Sequence, residues 1–289
     1  MKELVIISGK GGTGKTSLTA AFARWAGHAV LADCDVDAAD LHLLLHPEIQ
    51  ERRDFRGGHK AAIRAAACTG CGQCQATCRF AAIAPNRDGK FQIDPNACEG
   101  CGVCRRHCPA DAIDWTEPVC GELSISRTAC GPLVHARLMP GAENSGKLVT
   151  EVRKTARELA EREHCEQLIT DGPPGIGCPV IAAVSGTDAV LIVTEPTVSG
   201  KHDLDRVLQL TRYFRAPALV CVNKWDLNPE TTERIEAAAR TAGATVAGRI
   251  PYDLQFTAAL VRGQSIVDYP ESAAAKAGKE LWEQIWQKK

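Results

Sequence analysis

A glycine-rich loop near the start of the chain constrains its fold more than any other feature. Residues 9–16 read GKGGTGKT and fit the pattern G-x-x-x-x-G-K-[ST]. The apolar run 4–7 precedes this loop, and apolar residues with helical spacing occupy 15–26 after it. A strand, a glycine-rich loop and a helix in this order predict an α/β domain built on a doubly wound, mostly parallel sheet.

The α/β pattern continues along the chain but is interrupted once. Residues 68–108 hold eight cysteines and show no regular apolar spacing. We therefore predict one domain formed by 1–60 and 118–289, with a small α+β domain inserted at 61–117. Further strands are predicted at 29–32, 168–170, 189–193, 218–222 and 245–249. Further helices are predicted at 147–163, 201–213, 230–241, 253–261 and 271–286.

Composition narrows the function classes. The chain of 289 residues carries 34 Lys+Arg against 35 Asp+Glu, and only 5% of its residues are aromatic. This balance gives neither an electrostatic nor a stacking basis for binding nucleic acid, so none is predicted. The sequence shows no secretory signal pattern and no apolar stretch of about 18 residues, which predicts a cytoplasmic protein. Since disulfides are rare there, metal ligation is the first hypothesis for the 14 cysteines.

The glycine-rich loop has the chemistry of a phosphate-binding site. Glycines let successive backbone N–H groups point at phosphate oxygens, and the following helix N-terminus favours negative charge. Lys15 is expected to reach the β- and γ-phosphates, while the Thr16 hydroxyl and Asp171 are expected to hold Mg²⁺. Asp35 and Asp171 both follow predicted strands, where a carboxylate suits Mg²⁺ or water positioning. The predicted contacts of this segment with the nucleotide are Gly9, Lys10, Gly11, Gly12, Thr13, Gly14, Lys15, Thr16 and Ser17.

The string GKGGTGKTS resembles the deviant Walker A motif of the MinD/ParA/Mrp ATPases and of the nitrogenase iron protein. The resemblance covers most of the chain outside the insert. It implies a homodimer that holds ATP between its protomers, with Lys10 reaching the nucleotide of the partner. It also implies that Asp35 lies in a first switch segment and helps to position the attacking water. Asp171, in the string DGPPG, would open the second switch segment.

The base of the nucleotide is less well specified. In the same family, segments that match the strings NK and PYD of this sequence contact adenine, which implies Asn223, Pro251 and Asp253 as base contacts. The string NKWD at 223–226 also nearly matches the guanine-specific pattern NKxD. The resemblance favours ATP, and GTP is the alternative.

Eight cysteines form two runs that repeat each other with a period of 30 residues. Each run has the spacing C-x₂-C-x₂-C-x₃-C, which is the bacterial pattern for two [4Fe–4S] clusters, each held by three cysteines of one run and the last of the other. The insert thus resembles a dicluster ferredoxin domain, although Arg79 stands where the second run has Pro109. The first predicted ligand set is Cys68, Cys71, Cys74 and Cys108. The second predicted ligand set is Cys98, Cys101, Cys104 and Cys78.

Other roles for the cysteines stay open. Zinc could bind such thiols, but its sites commonly pair C-x₂-C units across a longer loop. Cys178 lies seven residues after Asp171, where the nitrogenase iron protein has a cluster ligand. That protein has a second such cysteine before the preceding helix, where this sequence has ENS at 143–145. Packing is therefore the favoured role for Cys178.

Together, the two modules predict a Mg-ATPase switch that carries two [4Fe–4S] clusters and couples nucleotide state to electron transfer or to docking of a redox or regulatory protein. One alternative is an Mrp-type scaffold or carrier for iron–sulfur clusters. Another is a MinD-like positioning or regulatory ATPase, with the ferredoxin domain as a docking or sensing module, that would use its C-terminal helix at a membrane. The apolar face of that helix, with Trp282 and Trp286, precedes two lysines, and packing of the face on the sheet is the favoured interpretation.

Overall fold

The computed structural model describes residues 1–287 of the chain and contains two compact units. The first unit has three segments, which are Met1–Arg53, Glu122–Leu138 and Ser145–Lys289. The second unit has two segments, which are Asp54–Gly121 and Met139–Asn144. The second unit begins earlier and ends later than the predicted insert at 61–117, because the strands that flank the cysteine runs belong to it in part.

The described part of the chain forms thirteen strands and ten α-helices. The strands are β1 (Lys2–Ser8), β2 (Val30–Asp33), β3 (Glu48–Arg56), β4 (Lys60–Ile63), β5 (Ile83–Pro85), β6 (Phe91–Ile93), β7 (Ile113–Thr116), β8 (Val119–Thr128), β9 (Gly131–Leu138), β10 (Gln167–Pro174), β11 (Ala189–Thr194), β12 (Ala218–Asn223) and β13 (Thr245–Ile250). The helices are α1 (Lys15–Ala26), α2 (Leu41–Leu45), α3 (Gln73–Thr77), α4 (Val103–Arg106), α5 (Ser145–Arg162), α6 (Cys178–Val184), α7 (Val198–Tyr213), α8 (Pro229–Thr241), α9 (Leu254–Val261) and α10 (Ala273–Gln287).

Nine strands form one sheet in the order β13-β12-β11-β1-β10-β2-β9-β8-β3. Neighbouring strands from β13 to β9 pair in parallel, which confirms the predicted α/β class with a mostly parallel sheet. Strands β1, β2 and β11 are buried along almost their whole length, as expected where helices cover both faces of a sheet.

The strand register places the functional ends of three strands side by side. Ile6 of β1 pairs with Asp171 of β10, and Asp171 pairs with Asp33 of β2. Because parallel strands have their carboxyl ends at one edge of the sheet, the loop after β1 lies beside both carboxylates. Pairing between strands distant in sequence thus brings the predicted site together.

Several elements were not predicted from the sequence. Strand β3 is exposed at every residue except Phe55, so it lacks the apolar alternation on which the prediction depended. Strands β8 and β9 and the short helices α2 and α6 were also missed. The edge strand β3 carries many charged side chains, which is a common feature of sheet edges because charge discourages pairing with other chains.

The second unit repeats one small motif. Strand β4 pairs with β7 and strand β5 pairs with β6, both antiparallel. Helices α3 and α4 begin after Gly72 and Gly102, whose φ angles of 77° and 72° lie in the left-handed region. A few apolar side chains, including Ile83 and Ile113, pack with buried cysteines to form its core.

The C-terminal helix α10 belongs to the core of the first unit. Leu281, Trp282 and Ile285 are all less than a tenth exposed, and the Trp282 ring lies 5.1 Å from the Phe22 ring of α1. The apolar face that could have served a membrane role is therefore occupied by packing, while Lys288 and Lys289 lie outside the described residues. Across residues 1–287, no helix combines the length and the apolar character needed to cross a membrane.

Candidate functional site

The glycine-rich loop connects β1 to α1, as the motif requires. Gly12 and Gly14 have φ angles of 80° and 89°, which L-residues rarely adopt. A side chain at Gly14 would also meet Asn223, because its Cβ would lie 2.6 Å from the amide nitrogen Nδ2. The hydroxyl of Thr13 is buried and has no hydrogen-bond partner within the described part of the chain. A buried donor without a partner in such a loop is suited to a ligand oxygen.

Lys15 lies at the centre of a buried charge network. Its Nζ atom is 3.1 Å from Asp171 Oδ2 and 3.3 Å from Asp35 Oδ2. The Thr16 hydroxyl donates to the same Asp171 Oδ2 at 2.7 Å, and the Thr19 hydroxyl donates to Asp171 Oδ1 at 2.9 Å. The structure therefore brings together Lys15, Thr16, Asp35 and Asp171, the four residues to which the sequence analysis assigned the phosphate and Mg²⁺ chemistry.

Electrostatics at this site depend on burial. Burial on its own would lower the pKa of Lys15, but the carboxylates of Asp171, Asp35 and Asp33 outweigh it and the pKa is raised. Burial, followed by the repulsion of Asp171, raises the pKa of Asp33 well above its ordinary value. The pKa of Asp35 is also raised, again chiefly by burial. Three carboxylates gathered around one lysine favour the arrival of a divalent cation, which would supply further positive charge.

Asp33 is a site residue that the sequence analysis did not single out. Its two carboxylate oxygens accept hydrogen bonds from the backbone N–H groups of Asp35, at 3.1 Å, and Leu41, at 3.2 Å. It therefore fixes both ends of the segment that contains Asp35. The signal was present in the string DCD at 33–35, but either aspartate could have been a turn residue.

Lys10 is held at the start of α7 rather than in the cluster around Lys15. Its Nζ atom lies 3.2 Å from the hydroxyl of Ser199 and 3.4 Å from Glu195 Oε2. Glu195 also pairs through Oε1 with Lys224 at 2.5 Å. The first glycine of the loop packs against the same helix, since a Cβ at Gly9 would lie 2.4 Å from that of Asp203. Sequence reasoning did not identify Glu195, because no local pattern marks it as the partner of two lysines.

The three residues predicted to contact the base make contacts within the protein. Asn223 Nδ2 donates to the carbonyl of Thr13 at 2.8 Å and so supports the loop. Asp253 caps α9 by accepting from the backbone N–H of Gln255, and it also accepts from the hydroxyl of Ser272 at 2.6 Å. Pro251 directly follows β13. Base binding by Asn223, Pro251 and Asp253 stays a prediction.

A cavity of about 650 Å³ opens over the loop, a volume typical of small-molecule sites. The loop from Gly11 to Ser17 forms one wall, and Asp35, Asp37 and Asp40 line another. Apolar side chains, including Leu260 of α9, complete the lining. Backbone N–H groups and Lys15 can bind phosphates here, while the rest of the cavity has room for the remainder of a nucleotide.

The eight repeated cysteines line two separate cavities in the second unit. The first cavity is lined by Cys68, Cys71, Cys74 and Cys108, together with apolar side chains. The second cavity is lined by Cys78, Cys98, Cys101 and Cys104, again among apolar side chains. Each cavity thus takes three cysteines from one run and the last cysteine from the other run. This crossed arrangement is the one predicted for two [4Fe–4S] clusters.

The surroundings of these thiols suit a polynuclear sulfur-ligated group. Backbone N–H groups of Gly70 and Phe91 donate to Cys68 and lower the pKa of its thiol. Ala112 N lies 3.3 Å from the sulfur of Cys108. Within residues 1–287, no three His, Cys, Asp or Glu side chains converge closely enough to hold a single metal ion. Each set of four thiols lines one cavity among apolar side chains, and four thiolates are the donor set both of [4Fe–4S] clusters and of structural zinc.

The cysteines outside the two runs do not extend these sets. Cys178 is exposed at the first residue of α6, which differs from the packing role favoured for it, and it lines neither of the two cysteine cavities. The others are buried, and burial raises the pKa of the Cys221 thiol to about 12. A thiol with so high a pKa is a poor nucleophile, and the buried Cys221 packs as a small apolar side chain.

Comparisons with known proteins find relatives that match most of the chain. An uncharacterised protein of Methanocaldococcus jannaschii is 34% identical over 242 residues, which are 78% of this chain and 79% of the relative. An iron-sulfur cluster carrier protein of Pyrococcus horikoshii is 25% identical over 303 residues, covering 98% of this chain and 85% of the relative.

Solved structures show the same fold. The cell division ATPase MinD of Pyrococcus furiosus superposes with a TM-score of 0.59 at 20% identity, covering 99% of this chain and 98% of that one. MinD of Pyrococcus horikoshii, solved with Mg-ADP, also gives a TM-score of 0.59 at 20% identity, covering 99% and 96%. The family model of the CobQ/CobB/MinD/ParA nucleotide binding domain matches residues 4–266. The phosphate loop, the sheet and this match together show that the chain belongs to the CobQ/CobB/MinD/ParA family of nucleotide-binding proteins.

Proposed function

We propose that this chain is a Mg-ATP-binding and ATP-hydrolysing switch that acts as a homodimer and carries two [4Fe–4S] clusters. The state of the nucleotide would control electron transfer or the docking of a redox partner. The observation that carries the proposal is the crossed lining of the two cysteine cavities in a chain that also has a complete phosphate loop.

The nucleotide-binding part of the proposal depends on the network around Lys15. In this proposal Lys15 turns from Asp171 and Asp35 to the β- and γ-phosphates, and Thr16 and Asp171 hold Mg²⁺. Asp35 then orients the attacking water, since it is only partly buried and lines the cavity. The bound Mg²⁺ would supply positive charge to the phosphate oxygens during transfer. These roles need only modest movement, because Lys15 already contacts Thr16, Asp35 and Asp171.

The homodimer part of the proposal depends on Lys10. This lysine is one-third exposed and lies away from its own Lys15 cluster, paired with Glu195 and Ser199. A lysine that leaves Glu195 on dimerisation could reach the nucleotide of a second copy, as the family resemblance implies. A positive charge delivered from a partner stabilises the transition state for phosphoryl transfer.

The iron–sulfur part of the proposal depends on the eight thiols. The two predicted sets would hold one [4Fe–4S] cluster each, and such clusters supply one-electron transfer when bound. The protein would provide thiolates, an apolar wall and nearby backbone N–H groups, such as that of Gly100 at 3.5 Å from the Cys98 sulfur. Apolar surroundings and hydrogen bonds to sulfur are the usual means by which a protein sets cluster potential.

The polypeptide that joins the two units would couple the nucleotide state to the cysteine sets. The segment after Asp35 runs into α2, whose Leu43 and Leu44 line the nucleotide cavity. Strand β3 follows α2 almost directly and leads into the second unit. A change at Asp35 on hydrolysis would therefore act on the part of the chain that precedes the cysteine runs.

A carrier of iron–sulfur clusters is the second candidate function, and the pyrococcal relatives named as such carriers favour it. The two functions differ in how firmly clusters are held. A carrier would pass iron and sulfide to an apo-acceptor protein within minutes, whereas a redox switch would keep them. Transfer to an apo-ferredoxin in the presence of a chelator distinguishes the two.

The first test is an iron and acid-labile sulfide count on protein purified without oxygen. We expect about eight iron atoms per chain, and about four after Cys104→Ser. Cys178→Ser is the matched control, because Cys178 is exposed and lines neither cysteine cavity, and this variant should keep the full count. One zinc per set, or no metal, would contradict the cluster assignment. Independently, Lys15→Ala should abolish ATP hydrolysis, and persistence of hydrolysis would contradict the role given to the phosphate loop.

A further inference from the structure

The two cysteine cavities have unlike surroundings although they arise from one repeat. Positions 30 residues apart correspond in the two halves. Around the second cavity, the repeat-equivalent positions carry larger or charged side chains, which are Arg79, Phe80, Val103, Arg105 and Arg106. Around the first cavity, the corresponding residues are Pro109, Ala110, Gln73, Gln75 and Ala76. We call the group around the second cavity, which is Arg79, Phe80, Val103, Arg105 and Arg106, the arginine face.

The centre of the arginine face is apolar and exposed. Phe80 is 45% exposed and Val103 is 38% exposed, and both line the second cavity with its cysteines. At the equivalent place on the first cavity stands Ala110. Phe80 and Val103 thus form a small exposed apolar surface at the second cavity, which a partner protein could cover.

Three arginines lie next to this centre in the sequence. Arg79 adjoins Phe80 in the chain, and Arg106 lies three residues after Val103 on α4, which places the two on neighbouring positions of the helix surface. Arg79, Arg105 and Arg106 are exposed, and in the part of the chain that the structure describes no ion pair or hydrogen bond is made by their guanidinium groups. Elsewhere in the unit, Arg64 is paired with Asp114.

The arginine face itself carries three positive charges and no carboxylate. Glu99 lines the second cavity and is the carboxylate among the lining residues of that cavity. The five residues of the arginine face thus combine an exposed apolar pair with three guanidinium groups. That pattern is typical of transient docking sites, where charge steers the encounter and a small apolar patch fixes the geometry.

We infer that the arginine face is the docking site of an acidic one-electron carrier protein, and that electrons enter or leave this chain through the second cysteine set. The inference rests on the proposed function, since it assigns the two sets different tasks within it. In each encounter, one electron passes between the carrier and this chain, so that one is oxidised as the other is reduced, and no covalent bond forms. The first set, with Pro109, Ala110 and the neutral residues of α3 around it, lacks this surface.

The test titrates the full chain with a purified acidic ferredoxin as the probe. Binding is measured by calorimetry at low and at near-physiological ionic strength, and reduction of this chain by the reduced probe is followed by stopped flow. The double variant Arg105→Glu/Arg106→Glu should weaken binding about tenfold and slow reduction by the probe. Reduction by dithionite should stay unchanged, because a small reductant needs no docking surface.

Two matched variants make the outcome specific. Arg87→Glu makes the same charge change at an exposed arginine in the turn between β5 and β6, and it should leave binding within about twofold. Phe80→Ser should slow reduction without reducing the salt dependence, since the arginines remain. Equal weakening by Arg87→Glu, no weakening by any variant, or an arginine-dependent affinity for anionic vesicles or duplex DNA in place of the ferredoxin would overturn the inference. The iron count of the same samples reports separately on the proposed function, because loss of clusters would appear there and not as a selective effect of charge.

Discussion

The phosphate loop lies in a unit with a large core of its own, whereas the cysteine unit has little core besides its cysteines. The first unit buries apolar residues of β1, β2, β11, α1 and α10 in one cluster that includes Phe22 and Trp282. In the second unit, the buried cluster consists of seven residues, and three of them are Cys74, Cys98 and Cys104. A core so small gives marginal stability, so a small unit of this kind commonly depends on a metal.

The two regions also differ in how their functional groups are satisfied without a ligand. Lys15 already pairs with both Asp35 and Asp171, and the unit can fold around them. The thiols around each cavity have few partners besides backbone N–H groups. The nucleotide site is therefore formed in the structure without its ligand, and we predict that the cysteine unit needs a bound metal for stability.

The largest effect is expected from iron removal. Stripping iron under reducing conditions should unfold the second unit, because metal binding and folding are coupled in small metal-dependent domains. Hydrogen exchange would then show loss of protection over β4–β7 and full retention in β1 and β10. ATP binding should stay within about twofold of the untreated protein. Retained protection in the stripped second unit would show that the comparison is wrong.

The next largest effect is expected at Lys15. Lys15→Ala should lower nucleotide affinity about a hundredfold, since the lysine donates charge-assisted hydrogen bonds to phosphates. Lys10→Ala should change affinity by less than about threefold but lower hydrolysis at least about tenfold, because Lys10 acts only when a partner brings it. Isothermal titration and a phosphate-release assay measure the two quantities. Equal effects of both substitutions on affinity would place Lys10 in its own nucleotide site and contradict the proposed exchange.

A smaller effect is expected from pH. Burial and then Asp171 raise the pKa of Asp33 above its ordinary 3.8, so between 3.8 and the raised pKa the folded protein binds more protons than the unfolded one. The free energy of unfolding of the first unit should therefore fall as pH rises through this window. The raised pKa of Lys15 acts in the same direction near its ordinary 10.5, where its contribution is lost as pH rises through the folded value.

Asp33→Asn isolates this contribution, because Asn keeps one acceptor oxygen but carries no charge. Denaturant titrations of the nucleotide-free protein from about pH 4 to about pH 8 should show a flatter slope in the variant than in the parent. A parallel slope in both proteins would assign the pH dependence to other groups.

The smallest effect is expected at Glu195. Glu195→Gln removes the charge that holds Lys10 at 3.4 Å and should raise steady-state hydrolysis about twofold to threefold by freeing Lys10 for a second copy. Asp205→Asn is the matched control. It removes a carboxylate that pairs with Lys201 within α7, and it should leave the rate of hydrolysis unchanged. A rate that rises equally in both variants would point to overall charge as the cause.

The sequence predicted the parallel core well and the sheet edge poorly. Helix α1 has the predicted limits, because apolar spacing and the phosphate loop agree there. Strands β11, β12 and β13 lie within a residue of the prediction, since buried parallel strands are short apolar runs. Strand β3 was missed because its residues are charged and exposed, so its pairing comes from the neighbouring strand rather than from its own pattern.

The residues of the candidate site also divide into those that the sequence predicted and those that it did not. Lys15, Thr16, Asp35 and Asp171 could be found because motif residues and strand ends carry local signals. Glu195 could not, because its importance comes from β11 lying beside β1, a contact between segments more than 180 residues apart. The unequal surfaces of the two cysteine cavities were present in the repeat, but only exposure distinguished Phe80 from a buried aromatic.

The most direct test of the account is electron paramagnetic resonance of the reduced protein, recorded with and without Mg-ATP. The account predicts two interacting [4Fe–4S] signals at about eight iron atoms per chain, with line shape or midpoint potential shifted by Mg-ATP in the parent protein and not in Lys15→Ala. Absence of cubane signals at full iron loading would contradict the assignment of the cysteine sets. Signals that ignore Mg-ATP in both proteins would contradict the coupling of the two units.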